Sequence, residues 1–139
     1  MRGTIGIALA LGLLLAPASA FAQQVPDLKG TWKGTNEAVV LGSGPHHQEG
    51  ARAEPRTSSQ EVTMTVAGQE GRRFWGEFAT ATDKEPVLGI IGSDGSSIYM
   101  ADPDGYILGS LTDDGQMDLC YLRAGSDLTV AACALLRKE

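Results

Sequence analysis

Few residues of this 139-residue chain could do chemistry. His46 and His47 are its only histidines, adjacent and followed by Gln48-Glu49. Imidazole and carboxylate are metal-ligand types. Adjacent side chains of an extended loop diverge, however, and no third histidine exists, so the stretch predicts a solvated polar loop without a metal. Asp102-Pro103-Asp104-Gly105 echoes the middle of a calcium-binding loop. The first ligand position of that loop falls on Met100 and the last on Leu111, and neither can coordinate. Nucleophilic catalysis needs a base beside a Ser or Cys, and no nucleophile motif accompanies the two histidines. The expectation is a non-enzymatic protein with no cofactor.

Cys120 and Cys133 are the only cysteines. An even pair in an oxidising compartment predicts one disulfide, and the start of the chain supplies that compartment. Arg2 gives a positive n-region, Ile5 to Leu15 an apolar h-region, and Ala18-Ser19-Ala20 and Ala20-Phe21-Ala22 small-residue cleavage sites. Pro17 ends the run short of the roughly 20 apolar residues of a membrane span. Residues 1–22 therefore read as a signal peptide cleaved after Ala22, and residues 23–139 as a single periplasmic or secreted domain. Eleven Lys and Arg against seventeen Asp and Glu, a net charge of −6, argue against nucleic acid and anionic membrane as partners.

The elements come from alternation. Leu28 to Leu41 places Leu28, Gly30, Trp32, Gly34, Ala38 and Val40 on one side and Lys29, Lys33 and Glu37 on the other, a half-buried first strand. Gly42 to Ser59 breaks every pattern and predicts a long loop. The second strand is Glu61–Ala67 and the third Arg72–Thr82. A Gln69-Glu70-Gly71 turn between them pairs Val66 with Phe74, Met64 with Gly76 and Val62 with Phe78, and leaves Trp75 outside. A fourth strand runs from Pro86 to Gly92, and an eighth from Leu128 to Arg137.

Between them, Asp94-Gly95, Asp104-Gly105 and Asp114-Gly115 recur at ten-residue spacing with apolar runs between, a signature of serial hairpins. Two-residue turns would mix Asp102 and Asp118 into the apolar face. Three-residue loops closed by glycine avoid this, and Pro103 suits the start of such a turn. That register places Val87, Gly89, Ile91, Tyr99, Ala101, Ile107, Gly109, Leu111, Met117, Leu119 and Tyr121 inside. Asp102, Tyr106, Ser110, Thr112, Asp118 and Cys120 fall outside. Pairing Cys120 with Cys133 sets Tyr121 opposite Ala132 and Leu119 opposite Ala134. The fold class is all-β: an eight-stranded antiparallel up-and-down barrel, a closed meander with one disulfide. Outward Lys29, Lys33, Glu61 and Glu77 argue against a membrane-embedded barrel.

Gly30-Thr31-Trp32, opening the first strand, resembles the Gly-x-Trp start of calycin-type barrels, the lipocalins and avidins. That resemblance implies a basic residue near the end of the last strand packed on Trp32, here Arg137. Bacterial periplasmic protease inhibitors, with a similar barrel and one disulfide, are a second resemblance. The chain as a whole also resembles small exported bacterial proteins with no assigned function.

Small inner residues leave room, and Trp32, Phe74, Phe78, Tyr99 and Tyr121 would line it, so a small, largely apolar molecule is the expected ligand. The alternative partner is a protein, met as an interaction or inhibitor module through the 42–59 loop, Trp75 and Tyr106.

Overall fold

A computed structural model describes residues 24–47 and 54–139. The expected signal peptide lies outside the described residues, as do Gln48 and Glu49. Eight strands are formed: β1 Gly30–Gly42, β2 Arg56–Glu70, β3 Arg73–Ala79, β4 Lys84–Ile91, β5 Ser97–Ala101, β6 Tyr106–Leu111, β7 Met117–Ala124 and β8 Leu128–Lys138. Each pairs with the next, and β1 pairs antiparallel with β8, which closes the meander into a barrel. The fold class expected from alternation is the one observed. It is also consistent with a calycin-like barrel.

Closure follows from which side chains turn inward. Trp32, Val62, Met64, Val66, Phe74, Val87, Ile91, Ile98, Met117 and Leu136 are buried together at one end, which we call the floor. Leu28 seals it. Its carbonyl accepts the Trp32 indole N–H at 2.8 Å, its own N–H donates to Gln69 Oε1 at 2.8 Å, and the Gln69 amide donates to Pro26 O at 2.8 Å. The cation over Trp32 is Lys138, 5.4 Å from the ring centroid, and not Arg137, whose Nε donates to Gln116 Oε1 instead. Trp32 and Lys138 are direct register partners. The expected contact is therefore made one residue further along the strand.

The disulfide is Cys120–Cys133, with Tyr121 opposite Ala132 and Leu119 opposite Ala134 as the spacing predicts. Elsewhere the register departs from expectation. The β2–β3 turn is tighter: Glu70 pairs with Arg73, and Gly71 takes φ +57°. A bulge at Ala67 then restores the face, so Met64 meets Phe78 and Val66 meets Gly76, two residues from the expected pairing. β2 also begins earlier than expected, taking residues 56–59 from the long loop.

The larger correction concerns β5. Tyr99 and Ala101, expected inside, do not face the core; Ile98 and Met100 do, and Tyr99 is half exposed. The three Asp-Gly turns are not equivalent. Only Asp114-Gly115 makes the expected three-residue loop, Thr112 N–H donating to Gln116 O at 2.9 Å with Gly115 at φ +77°. At Asp94-Gly95 the loop takes four residues, because Asp94 caps it. Bonds from the Ser97 hydroxyl and the Ser96 and Ser97 amides hold that carboxyl down at about 2. At Asp104-Gly105 the turn moves back onto Pro103-Asp104, since Asp102 Oδ1 accepts the amides of Asp104 and Gly105. One residue gained and one lost flip β5 alone, while β4, β6 and β7 keep their predicted faces.

Outside, the flip has a consequence. Trp75, Leu88, Ala101, Tyr106, Leu122, Ala131 and Val39 are consecutive register partners from β3 round to β1. Ile90, Tyr99 and Leu108 form a second row, ending on Cys120 and Cys133. Both rows stop at polar partners, Thr57 and Glu37.

Candidate functional site

At the end opposite the floor the barrel is not filled. A cavity of about 50 Å³ lies there, several times the ~10–15 Å³ that one water requires on the same measure. Its base and walls are apolar: Ile107, Leu119 and Leu136 below, with Phe78, Tyr121, Val130, Ala132 and Ala134 around it. Its rim is polar: Asn36, Gln60, Glu85, Asp102 and Arg123. Small residues on β8 create the room, since Ala132 pairs with both Tyr121 and Ala38.

A turn from the β1–β2 connection covers the mouth. Gly44 and His47 close it through N–H···O bonds of 2.8 and 3.0 Å. The Arg56 guanidinium fixes its base by donating to Gly42 O at 2.6 Å. Its tip is latched to the β3–β4 turn, where Thr82 Oγ1 donates to Pro45 O at 2.8 Å and His46 Nδ1 lies 2.8 Å from Thr80 Oγ1. His46 Nε2 faces the Glu85 carboxylate at 3.3 Å. The histidine pair is thus part of a cover over the cavity, and the solvated polar loop expected there is corrected: His47 is buried and His46 mostly so.

Burial sets the electrostatics. Desolvation lowers the His47 pKa, helped by the Arg56 and His46 charges, so its ring is neutral at pH 7. Burial raises that of Glu85 against the opposing effect of His46, with Asp102 and Asp104 adding to the rise. Tyr121 is pushed up to about 12, chiefly by burial and then by the Asp102 charge. Below pH 10 both folded and unfolded chains keep that phenol proton. Between pH 10 and about 12 only the folded chain does, so stability falls through this window. An absorbance titration should show one tyrosine ionising near 12, and Tyr121→Phe should remove that step and flatten the alkaline loss of stability.

Of the five residues expected to line a ligand site, the structure brings together Phe78 and Tyr121. Trp32 and Phe74 are packed into the floor, the Phe74 ring against Gly89. Tyr99 lies outside the barrel. Asp102, expected outside, reaches the rim because the flip of β5 gives it the inward parity of Ile98 and Met100, and from there its Oδ1 caps its own turn. Asn36, Gln60, Glu85 and Arg123 were not singled out by the sequence. All four were nevertheless legible by parity: Asn36 keeps the inward side of Trp32 and Gly34, Gln60 that of Val62 and Met64, Glu85 that of Val87, and Arg123 that of Leu119 and Tyr121. Asp104 forms an ion pair with Arg123 at the same rim.

Comparison with protein-family models, curated proteins and solved structures finds no match for this chain.

Proposed function

We propose that this chain is an exported, non-enzymatic β-barrel that binds a small molecule in its interior. The observation that supports the reading is the unfilled, polar-rimmed cavity in a barrel whose other end is tightly packed. Its chemistry fits an amphipathic guest, an apolar body against Ile107, Leu119 and Val130 with a polar group at the rim. At about 50 Å³ the cavity as it stands takes a guest of a few heavy atoms. Drug-sized ligands occupy ~300–1,000 Å³ and would require the Gly44–His47 turn to lift. The test is a screen of small amphipathic compounds by protein NMR. Binders should shift the resonances of Phe78 and Tyr121, and Ala132→Leu, which fills the cavity, should abolish those shifts while leaving the fold intact. Shifts that survive Ala132→Leu would place the binding elsewhere.

A second reading, a protein-interaction role, is favoured by the outer apolar rows. Leu88 and Tyr106 are each 68% exposed, and Trp75, Ile90, Tyr99, Leu108 and Leu122 between 42% and 51%. At on the order of 200 Å² per large side chain, these seven present roughly 700 Å². That area is spread over five of the eight strands, β3 to β7, so one partner would cover part of it, against the ~800 Å² each side contributes to a stable interface. Two outward rows lie only ~7 Å apart and do not encircle the barrel, whereas a membrane barrel needs a band about 25 Å tall. The occupant on this reading is a second copy of the chain, the two patches meeting in a two-fold, isologous contact. Sedimentation velocity should show a dimer that Leu88→Glu with Tyr106→Glu converts to monomer. A wild-type monomer at high micromolar concentration contradicts it.

A further inference from the structure

We infer that His46, Asp83 and Glu85 form a binding site for a divalent transition-metal ion, zinc being the best fit, at the mouth of the cavity. The three residues come from separate elements, the covering turn, the β3–β4 turn and the start of β4. One ligand atom from each lies within 4.8 Å of the other two. Nothing in the sequence spacing announces this group.

Three further observations point the same way. The first is the His46–Glu85 contact. Nε2 is buried and faces the carboxylate at 3.3 Å, yet without the alignment of a hydrogen bond. Two ligand atoms about 2.0–2.2 Å from one tetrahedral zinc ion are ~3.3–3.6 Å apart, so this pair already has a spacing that an ion could bridge. The second is the support behind the ring. Nδ1 lies 2.8 Å from Thr80 Oγ1, and a metal-ligating histidine is generally held in orientation through its other ring nitrogen. With Nδ1–H donated to Thr80, Nε2 carries a lone pair beside the Glu85 carboxylate, and two acceptors this close are satisfied by a cation held between them. The third is Asn36, more than nine-tenths buried on the wall of the same cavity, whose Oδ1 has no hydrogen-bond partner. It is an acceptor suited to a metal-bound water or to the donor group of a guest.

One imidazole and two carboxylates favour zinc or a neighbouring first-row ion over calcium and magnesium, which take oxygen ligands. Two carboxylates also balance the ion's double charge. Three protein ligands leave a fourth position open. That position would be filled by water, or by a guest entering the cavity. The three ligands would hold the ion with or without an organic guest in the cavity.

The test is isothermal titration of untagged, chelator-treated protein with zinc sulfate, with bound metal counted by elemental analysis. The expected result is one zinc per chain with micromolar or tighter affinity. Glu85→Gln and Asp83→Asn, which keep the side-chain shape, should each weaken it by about 100-fold, as should His46→Ala. Thr80→Val, which removes only the support of the ring, should weaken it by about 10-fold. Zinc should also raise the melting temperature of the wild type and not of Glu85→Gln, a comparison that needs no separate ligand. Absence of binding at millimolar zinc, or binding unchanged in Glu85→Gln and Asp83→Asn, would overturn the site.

Discussion

Replacing Cys120 and Cys133 by serine should destabilise the protein by about 3 kcal/mol, a large share of the roughly 5–15 kcal/mol available to a domain of this size. The bridge joins residues 13 apart in sequence across β7 and β8. On the chain-entropy account, a cross-link of that span removes loop freedom from the unfolded chain worth about that amount. Little else would be lost, since both sulfurs sit on the outer face and the β7–β8 ladder continues on either side of them. Urea unfolding of the double variant should show the lower midpoint. Wild-type protein unfolded in dithiothreitol should match it, which separates the cross-link from the effect of the serines. A variant as stable as the oxidised wild type would mean that the unfolded chain already holds these strands together.

Gly76→Ala should cost at least as much, about 3 kcal/mol or more. A Cβ at this inward position would overlap the Thr65 carbonyl oxygen and crowd the Val66 Cα, all backbone atoms of the neighbouring strand. Backbone cannot step aside as a flexible side chain can, so the barrel wall itself would have to shift. Gly71 provides the contrast. It has φ +57° and open space around its Cα, so Gly71→Asn, a residue that tolerates this conformation, should cost little. Equal effects at the two positions would show that conformation rather than close strand packing limits Gly76. Urea melts of the two single variants decide it.

How far the sequence disclosed this molecule depended on which force fixed each feature. Burial parity placed β1 to β4 and β6 to β8 on their correct faces, because an apolar alternation tolerates no one-residue slip. The Cys120–Cys133 pairing followed from their being the only two cysteines, and it set the β7–β8 register in turn. The face of β5 was not legible from the Asp-Gly pattern. There, side-chain capping by Asp94 and Asp102 outweighed the preference of Asp-Gly for one turn type, and each altered its loop by one residue. Gly105 does not take positive φ; it is small because a Cβ there would meet Leu122 O and the Tyr121 ring. Tyr99 moved outside for that reason, and with it one-fifth of the expected ligand set.

The candidate site was hidden differently. His46 looked isolated because its partners, Asp83 in the β3–β4 turn and Glu85 at the start of β4, are more than thirty residues away and only the folded barrel brings them to the mouth. The polar loop read from composition in fact supplies a cover, since the Gly44–His47 turn finds hydrogen-bond partners on Thr80 and Thr82. Aromatic and small inner residues suggested one interior site lined by Trp32, Phe74, Phe78, Tyr99 and Tyr121. Packing claimed Trp32 and Phe74 for the floor, and the room was left instead beside the alanines of β8.

The central claim, a guest inside the barrel, is tested most directly by native mass spectrometry of the freshly purified protein, sprayed from a chelator-containing buffer. The account predicts one small organic mass retained per chain in the wild type and absent from Ala132→Leu. A wild-type spectrum holding only the disulfide-bonded polypeptide, together with no binder among small amphipathic compounds, would contradict it.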